Sequence, residues 1–209
     1  MKQLALLAGL ALLLAAPTWA SAQSYAPQTY DHVEIGAYGS YLRFNPSGAA
    51  NPINFVGVGA RLDINTNRWV ALEAQMDYDF ARNYTSTSSS NSGGGISTSF
   101  VKTGLRPLTG LFGPKFEVGT GSPVTAFVTG QVGFIDFSTS NPNNVSSAGF
   151  SNAVNGIGGS GTHFAAYPGG GIEFFMGPVG LRLGAGDEIY LANGTHNNLR
   201  ATIGPEIRF

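Results

Sequence analysis

The stretch Leu199-Arg200-Ala201-Thr202-Ile203-Gly204-Pro205-Glu206-Ile207-Arg208-Phe209 decides the fold. Its odd positions are Leu199, Ala201, Ile203, Pro205, Ile207 and Phe209, and none is charged. Its even positions, Arg200, Thr202, Gly204, Glu206 and Arg208, hold every charge in the stretch. Side chains alternate between the two faces of a strand, so this period of two describes one strand with an apolar and a charged face.

The same division recurs upstream. In 179–191, Val179, Leu181, Leu183, Ala185, Ile189 and Leu191 oppose Arg182 and Glu188, with Asp187 breaking the rule. In 164–176, Phe164, Ala166, Ile172, Phe174 and Met176 oppose His163, Tyr167 and Glu173. In 124–134, Val124, Ala126, Val128, Val132 and Phe134 oppose Thr125, Thr129 and Gln131, and in 108–118 Phe112, Phe116 and Val118 oppose Lys115 and Glu117. In 70–80, Leu72, Ala74, Met76, Tyr78 and Phe80 oppose Glu73, Gln75, Asp77 and Asp79; in 56–64, apolar residues oppose Arg61 and Asp63. Segment 33–44 begins the same way, with Val33, Ile35 and Ala37 against Glu34, but its phase blurs after Gly39, where a bulge is expected. The pattern predicts eight strands.

Connections of two kinds alternate between them. Residues 65–67, 119–123 and 177–178 read as tight turns, whereas 45–52, 83–103, 138–162 and 192–198 are longer and rich in Ser, Gly and Asn. Antiparallel strands of even number with short turns at one end and long loops at the other are the organisation of an outer-membrane barrel. Pro114, Pro168 and Pro205 fall inside strands, where proline lacks a ladder donor, so a bulge, a rim position or a register slip is expected at each.

Composition agrees. Charged residues make up 11% of the 209 residues, against about 25% in ordinary globular chains, while hydrophobic residues reach 43%. The 14 Phe and 8 Tyr exclude a disordered chain, and the net charge of −1 removes the electrostatic case for nucleic acid. The absence of Cys excludes disulfides, a thiol nucleophile and thiolate metal ligands. Residues 1–22 read as a signal peptide: Lys2, an apolar run over 4–16, then Ala20-Ser21-Ala22 before Gln23. Residues 23–31 are a short periplasmic lead and 32–209 the barrel domain. The apolar run is too short to span a bilayer as a helix.

The apolar face is assigned to lipid and the charged face to the lumen, since a soluble barrel would lace its outer face with Lys and Glu. Aromatics concentrate at the two ends of the apolar face, with Phe116, Phe174 and Phe209 near one edge and Tyr78, Phe80, Phe134 and Phe164 near the other.

These features resemble the eight-stranded outer-membrane barrel family that includes the OmpA membrane domain and OmpX, over nearly all of the chain after residue 22. Segment 111–116, Leu-Phe-Gly-Pro-Lys-Phe, is also similar to a strand of small porin-like barrels. The resemblance implies a closed antiparallel transmembrane β-barrel, and it implies that the last strand, ending in Phe209, is read by the barrel-assembly machinery. The resemblance is to the membrane domain alone, and no peptidoglycan-binding domain is expected from it.

Catalysis has little support. Barrels that deacylate or acylate lipid A need a Ser/His/acid set. His163 precedes Phe164-Ala165 and His196 precedes Asn197-Asn198, so neither has a Ser two residues on, while Phe150-Ser151-Asn152 has no His before it. His163, Asp136 and a loop Ser remain the one set worth placing; otherwise the histidines, His32 included, are expected to cap strands at the water interface. Asp77, Asp79, Asp136 and Asp187 are expected as solvated acids at the barrel mouth, ahead of the alternative of a cation site at the outer rim. The glycines of 169–171, 180, 184 and 186 precede no helix and make no phosphate loop. No catalytic residue, cofactor or metal site is assigned.

The inward charges are the candidate site. Arg61, Lys115, Arg182, Arg200 and Arg208, facing Glu34, Asp63, Glu73, Asp77, Glu117, Glu173 and Glu206, are expected to form a hydrogen-bonded structural network, because unpaired buried charge is costly. Tyr38, Tyr167 and Gln131 add bulk. The expected function is a structural or surface-interaction barrel acting through its extracellular loops, its lumen plugged by that network. A narrow channel for small solutes is the alternative, ahead of a lipid A-modifying enzyme or a secreted lipid-binding barrel. The expected partners are outer-membrane lipids, the assembly machinery and an extracellular ligand or surface, with the barrel a monomer.

Overall fold

The computed structural model describes residues 31–45, 52–91, 96–119, 122–140 and 159–209. The expected signal peptide, most of the lead after it, and Phe150-Ser151-Asn152 lie outside the described residues. Nine strand segments follow one another: β1 (Val33–Phe44), β2 (Ile53–Asn67), β3 (Val70–Asp79), β4 (Arg82–Asn91), β5 (Ile96–Val118), β6 (Val124–Ser140), β7 (Gly161–Met176), β8 (Val179–Leu191) and β9 (Thr195–Arg208). Each is antiparallel to its neighbours. β3 lies along the lower part of β5, from Val70 opposite Phe116 to Tyr78 opposite Leu108, and β4 continues beside the upper part, from Arg82 opposite Leu105. The two segments form one stave broken at Phe80-Ala81, so the wall has eight staves.

The sheet closes on itself. β3 pairs with both β2 and β5, and β1 pairs with both β2 and β9. Closure removes the free edges that hydrocarbon does not tolerate, where each unsatisfied backbone group costs several kcal/mol. The β1–β9 seam runs from Glu34 opposite Arg208 to Arg43 opposite Leu199. Phe209 extends it: its amide donates to Val33 O at 2.8 Å, and its carbonyl accepts from His32 N at 2.7 Å.

Alternation sorts the two faces. Val128 is 61% exposed and Ile203 54%, while the inward Arg182 and Arg200 are 2% and 0% exposed. Apolar side chains therefore point outward and charged ones inward, the inverse of a water-soluble barrel. The aromatics of both expected belts are on the outer face, joined by Tyr41 near the loop end and Trp69 at the turn end.

Several local features depart from the sequence reading. β1 keeps one register against both neighbours, with no bulge at Gly39. Its phase blurs in sequence because Leu42 and Phe44 are apolar yet point inward. The irregular register sits instead at Asn65/Asn67, where Asn67 Oδ1 accepts from the amides of Trp69 (2.8 Å) and Val70 (3.1 Å) and closes the turn. Residues 83–91 and 96–103, expected as part of a loop, belong to β4 and β5 and extend the wall as a paired hairpin. The β8–β9 connection is also short: Leu191 pairs with Thr195, and Asn193 and Gly194 take positive φ. Loop lengths therefore do not alternate strictly.

The prolines produce no bulge and no slip. Pro114 pairs with Leu72, Pro168 with Gly130 and Pro205 with Leu181, each on one side only. On the other side the ladder skips two residues and resumes in the same register, as between Phe112/Val132 and Lys115/Thr129. The missing donor is absorbed by a local gap.

The gap beside Pro205 coincides with a close approach. Gly204 faces inward, and a Cβ there would run into the Ala37 carbonyl oxygen and lie 2.5 Å from Tyr38 Cα. Backbone cannot yield as a flexible side chain does, so this glycine lets the closing seam bend.

Two outcomes test the fold. Val128→Arg places a cation on the lipid face and should cost about 2–4 kcal/mol in bilayer unfolding measurements; unchanged stability would place that face elsewhere. Gly204→Ala should destabilise the seam by roughly 1–3 kcal/mol or more, the range for overpacking. The readout is loss of the compact band of refolded protein on unheated gels, and a wild-type band would contradict the seam geometry.

Candidate functional site: the stratified lumen

The bore is filled in two chemically distinct zones. Around the turn end, Lys115 from β5 points to the axis, where its Nζ lies 2.7 Å from Asp63 Oδ2, 2.8 Å from Glu117 Oε1, and 3.1 Å from both Glu34 Oε2 and Glu173 Oε1. Arg182 from β8 reaches across the bore. Its Nη2 donates to Glu73 Oε2 at 2.6 Å, and its Nη1 lies 3.0 Å from Asp63 and 3.3 Å from Glu173. The guanidinium is stacked 3.9 Å above the Phe127 ring, a second attraction in a dry site. Arg61 is held differently, 4.1 Å over the Tyr38 ring, with Nη2 3.5 Å from Thr202 Oγ1.

Higher in the bore Arg200 gathers a second set. Its Nη1 lies 3.1 Å from Asp77 Oδ1, its Nη2 2.9 Å from Asp79 Oδ2, and its Nε pairs with Glu188. Thr109 Oγ1 donates to Glu188 Oε1 at 3.2 Å, and Ser40 Oγ to Asp79 Oδ1 at 3.4 Å. Asp77 and Asp79, expected at the mouth, are fully buried here because their strand carries them inward below the rim. Asp136 is half-buried on the outer side of the wall, accepting from Thr162 Oγ1 at 2.8 Å.

Of the residues expected in the network, Arg61, Glu73, Asp77, Lys115, Glu117, Glu173, Arg182, Arg200 and Glu206 face the bore. Arg208 does not join them. It sits one residue from the end of the seam, at the rim, over the Phe175 ring at 4.3 Å and 3.0 Å from Asp31 Oδ2. Asp79 and Glu188 were missed, although each shares the inward parity of the charges on its own strand.

Above Arg200 the lumen becomes apolar. Leu42, Phe44, Phe55, Leu105, Ile135, Phe137 and Tyr190 are buried together in one cluster. Phe44 stacks on Tyr190 with centroids 5.8 Å apart, Phe137 meets the same ring edge-on at 5.0 Å, and His196 stacks on it at 4.4 Å. His163, half-buried, lies 5.8 Å from the Phe137 ring of that cluster. Both rings therefore pack against an aromatic cap, and the buried His196 also meets the Ala192 carbonyl of the β8–β9 turn through Nε2 at 2.9 Å. His163 pairs with Ile135 and Asp136 with Thr162, so the imidazole and the carboxylate point to opposite sides of the wall. The Ser/His/Asp set is not assembled among the described residues.

The charge ledger of the bore is unbalanced. Among the described residues, four buried cations (Arg61, Lys115, Arg182, Arg200) face nine carboxylates (Glu34, Asp63, Glu73, Asp77, Asp79, Glu117, Glu173, Glu188, Glu206). Each of Lys115, Arg182 and Arg200 therefore binds several carboxylates at once. Removing one partner from such a set leaves uncompensated buried charge, which typically costs about 3–5 kcal/mol.

No family model matches the chain, and no curated protein sequence does. Solved structures do. The attachment invasion locus protein Ail of Yersinia pestis superposes with a TM-score of 0.53 at 13% identity, covering 86% of this chain and 100% of that one. Neisserial surface protein A superposes with a TM-score of 0.57 at 12% identity, covering 85% of this chain and 97% of its own. At such identity the likeness concerns the fold alone. The chain is folded as a small eight-stranded outer-membrane β-barrel.

Proposed function

We propose that this barrel works as an outer-membrane scaffold whose interactions are made at its loop end, with the lumen serving as a structural plug. The observation that carries the reading is the filled bore. Cross-linked charges occupy its turn-end and middle levels, and packed aromatic rings occupy the level above them. Eight strands enclose an interior that side chains fill, unlike the water-filled channel of 16-stranded porins.

What extends past the wall supports an interaction role. Above Gly104, which pairs with both Asn83 and Ser140, the β4–β5 hairpin continues as two strands alone. Its outer edges have no ladder partner among the described residues, and an edge of that kind accepts an extended segment of another chain. The proposed partners are a ligand or surface met at that end, bilayer lipids along the belts, and the assembly machinery at the last strand. Phe209 contributes to the seam through its backbone while its ring points outward, 66% exposed. We assign that ring to recognition during assembly.

Planar-bilayer recording of the refolded protein tests the plug. No long-lived nanosiemens steps are expected, either from the intact chain or after residues 141–158 are replaced by a short turn, because the closure is built from the strands. Such steps in either protein would favour the channel reading. Phe209→Ala keeps the seam hydrogen bonds, so it should lower insertion in cells severalfold while leaving refolding in detergent near wild type. Equal losses in both assays would make the ring a stability element instead.

A further inference from the structure

The turn-end zone holds the larger part of the charge excess. Six carboxylates there share Lys115, Arg182 and the more distant Arg61. Four of them, Glu34, Asp63, Glu173 and Glu206, each offer an oxygen, and these oxygens lie within 4.8 Å of one another. All four residues are buried.

Glu206 is the decisive member. It is 1% exposed, neither of its carboxylate oxygens accepts a hydrogen bond among the described residues, and its cationic neighbour Arg182 Nη1 is 3.7 Å away. Asp63 Oδ1 and Glu173 Oε2 are likewise without donors, although the other oxygen of each is bonded to Lys115 and Arg182. A buried carboxylate with no donor is strongly disfavoured unless positive charge neutralises it. Lys115 and Arg182 already engage one oxygen of Asp63 and Glu173, and the unused oxygens remain.

We propose that the turn-end chamber binds one calcium-sized divalent cation between Glu206, Glu173, Asp63 and Glu34. The donor set is made only of carboxylate oxygens, the chemistry of a hard cation and not of a transition metal that prefers imidazole or thiolate. Oxygens up to 4.8 Å apart suit metal–oxygen bonds of about 2.4 Å, the calcium distance, with ligands on opposite sides of the ion. The route in is from the turn end, where the side chains of Glu117 and Glu34 keep 10% and 6% of their surface accessible. Lys115 acts as a resident competitor, an ammonium set against three of the four ligand carboxylates.

The test uses the refolded barrel in detergent, stripped with EDTA and titrated with calcium chloride by calorimetry. Wild type should take up one equivalent saturably. Glu206→Gln should weaken binding at least tenfold, and Lys115→Met should tighten it at least tenfold by removing the competing charge. Absence of saturable uptake by wild type would overturn the proposal and leave protons as the neutralising charge. An affinity unchanged in Glu206→Gln, or the same response to sodium chloride at matched ionic strength, would also overturn it. If Glu206→Gln does not refold, Lys115→Met decides: it must bind calcium more tightly than wild type or refold better in calcium than in EDTA, and failure of both overturns the site.

Discussion

Closure of the wall is the constraint from which the rest of this molecule follows. A strand in hydrocarbon must have a partner on each side, so β1 has to meet β9 along their shared length. That demand explains the inward glycine at the seam, where any side chain would strike the neighbouring backbone. It also explains why the prolines are accommodated without displacing the register. A shift by one residue would carry a stave's charges to the lipid side, whereas a two-residue gap in one ladder leaves every face as it was.

Closure also dictates what the interior must solve. A ring of eight staves leaves too little room for bulk water, so inward charges must satisfy one another. The strands do this with few cations placed centrally, each serving several carboxylates drawn from different staves. Lys115 alone joins β1, β2 and β7 to its own strand. Such cross-links tie together staves far apart around the ring, a tension that backbone ladders between neighbours do not supply.

Most of the wall was legible from periodicity, because lipid outside and charge inside make a strong alternating signal. The signal failed where that contrast disappears. Leu42 and Phe44 read as a loss of phase, since the lumen at their level is as apolar as the lipid. Residues 83–103 read as a loop because their Ser, Thr, Asn and Gly carry no alternation of apolar and charged positions, although 82–91 and 96–105 pair as strands. Asp77 and Asp79 were placed at the mouth from their nearness to the strand end, but β4 continues the stave past them. In the lumen, parity was enough to select the inward charges. It could not separate Arg208 at the rim from Arg200 within, because depth depends on the stagger between staves. Which carboxylates each cation gathers is likewise invisible to parity, since those contacts cross the barrel.

The aromatic cap has a consequence for the chain before it folds. Where the lumen is apolar, a strand tip is greasy on both faces, as in Tyr41-Leu42-Arg43-Phe44 and Phe134-Ile135-Asp136-Phe137. Such short two-sided segments are the ones by which unfolded chains adhere to each other. Each of these tips has a single charge set in its middle, Arg43 in one and Asp136 in the other, and in the folded barrel both side chains lie outside the cap. A charge at that place leaves the cap's packing untouched while interrupting a stretch that would otherwise be apolar on both faces.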